Sequence, residues 1–291
     1  MFSYSRLTEL FKSSKEILFD DSSKFIFFGD CHRGVNTWGD NFAENRNIFF
    51  HSLNYYYKNG FSYIEMGDGD ELWDNKSFSN IRIAHSDVFK LMAKFYKEKR
   101  LYVLYGNHDK ERENADKVKE TLYRYYSEHK EDYEPLFDGI EIYEGLVLKN
   151  AVTGSKIFLI HGHQVDIINS KFWRLGRFLS RYFWRYLKLL GIKDPTSPAF
   201  NVNNRIKVEE RLKKWVMVNN QALIAGHTHR PIFPSKEDLQ YFNPGSCVHP
   251  RCITGLELQH NTITLVKWSV STKDDGLLYV VRDVLAGPRE L

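Results

Sequence analysis

Seven side chains at five places along this sequence have the types and spacing to hold divalent metal ions. Asp30 and His32 lie two apart just after the apolar run 25–28, where Gly29 breaks the run so that both emerge on one side of a turn. The same arrangement, an apolar run and then glycine beside a ligand-type residue, recurs at 63–70 (YIEMGDGD), 101–109 (LYVLYGNHD), 157–163 (IFLIHGH) and 222–229 (ALIAGHTH). These places add Asp68, Asn107, His161, His227 and His229, with His163 as an alternate to His161, which directly follows its run. One D-x-H pair alone reads as readily as a polar turn after a core strand; recurrence at five run ends points to a shared site. Seven nitrogen and oxygen donors are too many for one ion and suit two, with one carboxylate bridging, and the absence of thiolate ligands favours Mn2+, with Fe or Zn as alternatives. Two metals about 3.5–4 Å apart clamp the attacking and leaving oxygens of a phosphoryl displacement and generate hydroxide at neutral pH. The expected reaction is hydrolysis of a phosphoester by attack of a metal-bridging hydroxide.

The elements that must position these residues follow from periodicity. A short amphipathic helix is expected over 7–18, a helix over 41–58 stopped by Asn59-Gly60, and another over 84–98, between apolar runs that read as strands. Strand, helix, strand, helix, strand is the pattern of a parallel sheet with crossovers, whose ligands collect beyond the carboxyl ends of the strands. A charged helix is expected over 113–130. From Glu141 onward short strand-like runs dominate (142–149, 156–160, 222–225, 239–243, 252–258, 262–268, 277–281), enough for a second sheet. The block at about 166–218 has little strand character and is expected as a helical insertion within a single domain spanning 1–291.

Composition sets limits. With 291 residues, 42% hydrophobic and 27% charged, the chain can bury a sizeable core. The formal net charge of only +4 calls for no nucleic-acid partner, so any basic function must come from local clustering. Cys31, Cys247 and Cys252 form no metal-type spacing and are too few for a disulfide framework. No basic region followed by an apolar run opens the chain, and no window offers a transmembrane span, so a cytoplasmic protein is expected.

The residues GDCH, GDGDE, GNHD, HGH and GHTH, in this order, closely resemble the calcineurin-like metallophosphoesterases, whose pattern runs D-x-H, GDxxD/E, GNHD/E, H, GHxH. The resemblance spans about 25–246. It implies a four-layer α-β-β-α sandwich of two mixed sheets flanked by helices. It also implies that Asp30, His32 and His229 hold one metal, that Asn107, His161 and His227 hold the other, and that Asp68 bridges. By the same resemblance His108 is the acid that steadies the leaving group, oriented by Asp109, while Glu71 occupies the final acidic position of the second motif. Asp70, Glu71 and Asp166 are expected to orient ligands or cap turns. Arg33 is expected at a substrate phosphate or at a nearby acid, and the turn 243–246 (NPGS) is expected to be structural.

The insertion alone speaks to substrate. Over 172–190, Phe172, Leu175, Leu179, Phe183, Tyr186 and Leu190 share one helical face, and Arg174, Arg177, Arg181, Arg185 and Lys188 the opposite one. Two readings are open: a docked helix with a solvated basic back, or a cap presenting cations and aromatics, including Trp173 and Trp184, to an anionic substrate or an anionic membrane surface. The HGH motif with nearby Asp166, the basic-aromatic insertion and the GDGDELW stretch are similar to the UDP-2,3-diacylglucosamine pyrophosphatase branch, which typically has Arg where this chain has His108. The expected partner is therefore a phosphorylated small molecule or a nucleotide-linked, partly apolar substrate. A nuclease or cyclic-nucleotide phosphodiesterase, with the basic stripe on a nucleic-acid backbone, is the alternative. A non-enzymatic scaffold on this fold would be expected to have lost ligands, and this chain keeps them all.

Overall fold

The computed structural model describes residues 2–166, 173–184 and 201–290. In chain order α1 (Phe2–Ser13), β1 (Lys15–Phe19) and β2 (Lys24–Phe28) lead into α2 (Arg46–Lys58), β3 (Ser62–Met66), α3 (Phe78–Ala84), α4 (Ser86–Lys97) and β4 (Leu101–Leu104). Every residue of β2 from Phe25 to Phe28 is buried, because this strand is covered on both faces: Ile26 and Phe28 point toward α2 and α4, and Phe25 and Phe27 toward the second sheet. That double covering is why these strands read as unbroken apolar runs. Strands β2, β3 and β4 are adjacent and parallel, with Phe25 opposite Ser62 and Tyr63 opposite Leu101.

After α5 (Ala115–Leu122) come the small hairpin β5 (Arg124–Ser127) and β6 (Asp132–Pro135), then β7 (Ile142–Tyr143), β8 (Gly145–Asn150) and β9 (Lys156–Ile160). The remaining elements are α6 (Trp173–Leu179), which continues as a π-helical turn over Ser180–Trp184, α7 (Val202–Asn219), β10 (Ala222–Ala225), β11 (Tyr241–Phe242), β12 (Cys252–Gln259), β13 (Thr262–Thr272) and β14 (Leu278–Glu290). One sheet has seven strands in the order β14-β13-β12-β2-β3-β4-β7, and the other five in the order β1-β8-β9-β10-β11; both mix parallel and antiparallel pairs.

Three cores define four layers. Between the sheets lie Phe27, Ile64 and Leu104 from one and Leu148, Leu159 and Ile224 from the other. Outside the seven-stranded sheet, Phe49, Leu53 and Phe95 of α2 and α4 cover Phe28 and Tyr63. Outside the five-stranded sheet, Leu7 of α1 and Val208, Leu212 and Trp215 of α7 cover Val147, Phe158 and Leu223. This is the expected α-β-β-α sandwich.

Several expectations change. The helix expected over 7–18 ends at Ser13, and Lys15–Phe19 forms an edge strand pairing Lys15 with Leu146, since backbone pairing at the sheet edge outweighs weak helical periodicity. The charged helix expected over 113–130 is α5 followed by a hairpin. Of the block 166–218 expected as a helical insertion, Val202–Asn219 is the fourth layer itself, because Val208, Leu212 and Trp215 supply core that the five-stranded sheet needs. The rest of the expected insertion is described only over 173–184, so Phe172, Arg185, Tyr186, Lys188 and Leu190 lie outside the described residues.

Candidate metal centre

All five ligand-bearing turns sit beyond the carboxyl ends of parallel strands: β2, β3 and β4 of one sheet, β9 and β10 of the other. The two sheets deliver their loops to one rim of the sandwich. Five of the donors adopt left-handed backbone themselves, Asp30 (φ 51°), His32 (48°), Asp68 (49°), His227 (68°) and His229 (56°). Non-glycine residues in this region cost on the order of 1–2 kcal/mol each, and such residues cluster at functional sites where surrounding structure holds them. The holding contacts are backbone bonds between loops, Asp30 N–H to Gly67 O and His32 N–H to Asp68 O at 2.8 Å.

The donors gather into two groups, each with its ligand atoms within 4.8 Å of one another: Asp30, His32 and His229, and Asp68, His161 and His227. Asp68 lies between them, with Oδ2 3.2 Å from His161 Nε2 and 3.7 Å from His32 Nε2. Asp30 Oδ1 is 3.2 Å from His229 Nε2. The residues fit metal binding on a direct observation: Asp30 Oδ1, Asn107 Oδ1 and His161 Nε2 are buried polar atoms with no hydrogen-bond partner in the protein, an arrangement that costs about 1–3 kcal/mol per group unless a ligand satisfies it. Glycines make room for this crowding. A Cβ at Gly106 would run into the Asp68 carboxylate, and one at Gly226 would lie 2.7 Å from Asp30 Oδ2.

Electrostatics follow the geometry. Burial works against charge on His161, but the carboxylates of Asp68 and Asp30 outweigh it and raise its pKa to about 9. Burial likewise opposes ionisation of Asp68, and His161 and His108 overcome it, holding that carboxyl well below the usual range. His161 Nδ1–H donates to Met66 O at 2.9 Å, so its Nε2 faces the donor cluster. His163 is buried with Nδ1 unpartnered, its ring 6.1 Å from that of Tyr105, and burial lowers its pKa; it stands outside both groups.

His108 is oriented differently from expectation. Its Nδ1–H donates to Glu71 Oε1 at 2.8 Å, and its ring stacks on Trp73 at 4.1 Å and 19°. Asp109 instead accepts from the backbone N–H groups of Gly106 (2.6 Å) and Gly69 (3.0 Å), tying the third loop to the second. Burial pushes its carboxyl up to about 6. The difference is one of reach: Asp109 turns inward toward two free amides, and Glu71 spans the gap to His108. Asp166 accepts from His227 Nε2 at 3.2 Å and from Asn204 at 2.9 Å, an orienting contact of the kind expected.

Arg33, expected at a substrate phosphate or a nearby acid, takes the acids. It is closed to solvent, bidentate to Glu65 at 2.8 Å and bonded to Asp70 at 2.7 Å. Arg112 pairs with Asp70 from the other side and reaches Asp109 at 3.5 Å. This buried chain of charges braces the first three metal loops against one another. Glu65 and Arg112 were not legible as site residues; Glu65 sits inside an apolar strand, which is the signal that could have marked it.

The described part of the expected insertion docks through basic side chains, which differs from the reading in which that face is solvated. Arg181 donates to the carbonyls of Trp73 (3.0 Å) and Leu72 (2.7 Å), Arg177 pairs with Glu111 at 3.2 Å, Ser180 bonds Asp74 at 2.5 Å, and a Cβ at Gly176 would lie 3.0 Å from the Trp73 ring. Phe178 and Tyr182 are exposed. Arg181 and Ser180 thus dock onto the loop after β3, through its carbonyls and the Asp74 carboxylate, while Arg177 pairs with Glu111 after β4. These partners fix Arg177 against Glu111 and Arg181 against the carbonyls of Leu72 and Trp73. Arg174 lies on α6. No helix among the described residues is long and apolar enough to cross a membrane.

No curated protein matches the sequence. Among solved structures the chain is similar to Vacuolar Protein Sorting 29 from Cryptosporidium parvum, at 16% identity and TM-score 0.40, covering 92% of this chain and 100% of that one. It is also similar to a predicted phosphoesterase from Streptococcus pneumoniae (15% identity, TM-score 0.36, 90% and 97% covered). A putative 5′-nucleotidase from Staphylococcus aureus matches at 16% identity and TM-score 0.36, with 90% of this chain and 53% of that one covered. Residues 23–231, which carry all five ligand turns, match the family model described as calcineurin-like phosphoesterase, and the chain belongs to that family of phosphate-ester hydrolases.

Proposed function

We propose that the protein is a binuclear-metal phosphoesterase that hydrolyses a phosphoester or pyrophosphate bond of an anionic substrate. The observation that carries this reading is the position of Asp68 Oδ2 between the two donor groups, within 4 Å of an imidazole from each. Asp30, His32 and His229 would hold one ion, Asn107, His161 and His227 the other, and Asp68 both. Their mixture of imidazole nitrogen and hard oxygen suits manganese, with iron or zinc as alternatives. When bound, such ions polarise a phosphoryl oxygen and lower the pKa of water.

The chain's own residues supply the rest. His108, partly open to solvent and fixed at Nδ1 by Glu71, presents Nε2 to the departing oxygen and can hand it a proton there. Stacking on Trp73 keeps the ring in that plane. Trp73 is itself locked by a 2.7 Å bond from Nε1–H to Asn107 O. The free cysteines, of which Cys31 and Cys247 are buried, suit a reducing compartment such as the cytoplasm. The test is to assay the manganese-loaded protein against phosphomonoesters, phosphodiesters, nucleotide pyrophosphates and short DNA while counting bound ions. Metal-dependent hydrolysis with two ions per chain is expected, and an active protein with at most one ion overturns the reading.

A further inference from the structure

The two large sheets have four edges, and three of them are blunted. Strands β7 and β11 are two residues long, and β1 carries Lys15 and Glu16 in ion pairs with Glu141 and Lys149. Short strands and charged side chains are the usual means by which a sheet avoids pairing with another chain. The fourth edge is β14, which at 13 residues is the longest strand among those described. Edge strands are ordinarily kept short, so this one stands apart from the other three.

One stretch of β14 is regular. Residues 278–284 pair with 266–272 of β13 one for one, and the break in register falls beyond them, between Leu265 and Val266. Along this stretch the N–H and C=O groups that turn away from β13 face no other strand among the described residues. Its sequence, LYVVRDV, contains no lysine, proline or glycine to discourage pairing. Both of its charges are engaged within the chain: Arg282 Nε–H donates to Glu257 at 2.7 Å, and Asp283 lies 3.4 Å from Lys267 Nζ. At its two ends stand apolar side chains in solvent, Leu278 at 72% exposure and Val284 at 52%.

The order of these residues suits a second copy of the same strand. Two identical strands paired antiparallel about a twofold axis perpendicular to the sheet must set one residue opposite itself. An axis at Arg282 puts two arginines face to face, and an axis at Asp283 two aspartates, both disfavoured by like charge. An axis at Val280 carries Val284 past the start of β14, to Gly276. An axis at Val281, the midpoint of the stretch, avoids each of these faults and uses every residue of it. Val281 then meets Val281 of the other copy, Leu278 meets Val284, and Tyr279 meets Asp283.

We infer that β14 is a homodimer interface, through which two copies pair antiparallel over 278–284 about Val281 and join their seven-stranded sheets into one. The pairing satisfies the free backbone groups of both edges and takes Leu278 and Val284 of each copy out of water. Each copy contributes its one long open edge, so the assembly closes at two.

The test is analytical ultracentrifugation of the full-length chain at micromolar concentration, which reads mass and not hydrolysis. Wild type should be a dimer. Leu278→Lys and Val284→Glu each set a charge against an apolar side chain, twice per dimer, and each should weaken association about tenfold or more. Both positions are exposed, so the monomer should still fold. The double variant Leu278→Lys/Val284→Glu brings opposite charges face to face only in the register centred on Val281, and should associate at least about threefold more tightly than either single variant. A monomeric wild type, assembly beyond a dimer, a loss below tenfold in either single variant, or a double variant without that recovery overturns the inference. The outcome does not depend on whether the chain hydrolyses a phosphoester.

Discussion

Glu71 holds His108: one carboxylate oxygen accepts from His108 Nδ1 at 2.8 Å, and the other lies 3.0 Å from Nδ1 of the metal-site residue His32. A single side chain therefore sets the direction of the proposed proton donor and of a candidate ligand. General acid help typically contributes about 10²–10⁴ in rate, so His108→Ala should lower kcat for an alkyl phosphate by that order while metal content is unchanged. The loss should be smallest for p-nitrophenyl phosphate, whose leaving group needs no proton. Glu71→Ala should differ by lowering both activity and metal affinity, about 10–100-fold, the usual effect of removing a group that orients a ligand. Turnover on the two esters together with metal analysis of each variant decides the assignment; equal losses on both esters for His108→Ala would sink it.

Asp68 belongs to the group of His161 and His227, and its Oδ2 lies 3.7 Å from His32 Nε2 of the other group. Asp68→Ala should release both ions, whereas Asp30→Ala should preferentially weaken the site it shares with His32 and His229. Gly106→Ala should imitate Asp68→Ala, since its Cβ would occupy the space of the Asp68 carboxylate. Ion counts by mass spectrometry under native conditions give the answer, and an Asp68→Ala protein that retains two ions contradicts the bridging position.

Metal uptake should depend on pH in a definite direction. In the metal-free protein, Asp68 and Asp30 raise His161 to about 9, so its imidazole is protonated at neutral pH and must lose that proton to a metal. Apparent affinity should rise with pH up to about 9, roughly tenfold per pH unit for one proton displaced, and level off above it. Calorimetry in buffers of different protonation enthalpy measures the proton directly. Uptake without proton release at pH 7 would refute the argument.

The ion chain beneath the loops should matter more than the exposed pairs of the cap. Removing one partner of a buried pair typically costs about 3–5 kcal/mol, so Arg112→Ala, which takes one of two arginines from Asp70 and the arginine partner from Asp109, should fall in that range in urea unfolding. Arg177→Gln, at a partly exposed pair with Glu111, should stay within about 0.5 kcal/mol. Arg181→Gln should show itself locally, as faster amide exchange over 71–75, because its bonds go to those carbonyls. Protection there equal to wild type would mean that the segment is held by other contacts.

The sequence by itself determined which residues could bind metal and in what order their strands come, because a buried strand ending in glycine and a donor is a local pattern. It also carried the sandwich, through the change from long helical spacing to short runs after Glu141. What only the tertiary structure decided is which partners meet across the chain. That Glu71 and not Asp109 reaches His108 depends on two loops 37 residues apart. The charge chain through Glu65 and Arg112 depends on three loops converging beneath the donors. The left-handed backbone of Asp30, His32, Asp68, His227 and His229 is imposed by neighbouring loops on residues with no local preference strong enough to reveal it. The orientation of α6 was undecidable for the same reason. An amphipathic helix offers two faces, and the choice fell to the carbonyls of the loop after β3, which accept from arginine. Side-chain spacing is written in the chain, but the surface that a face meets is assembled only when distant segments pack.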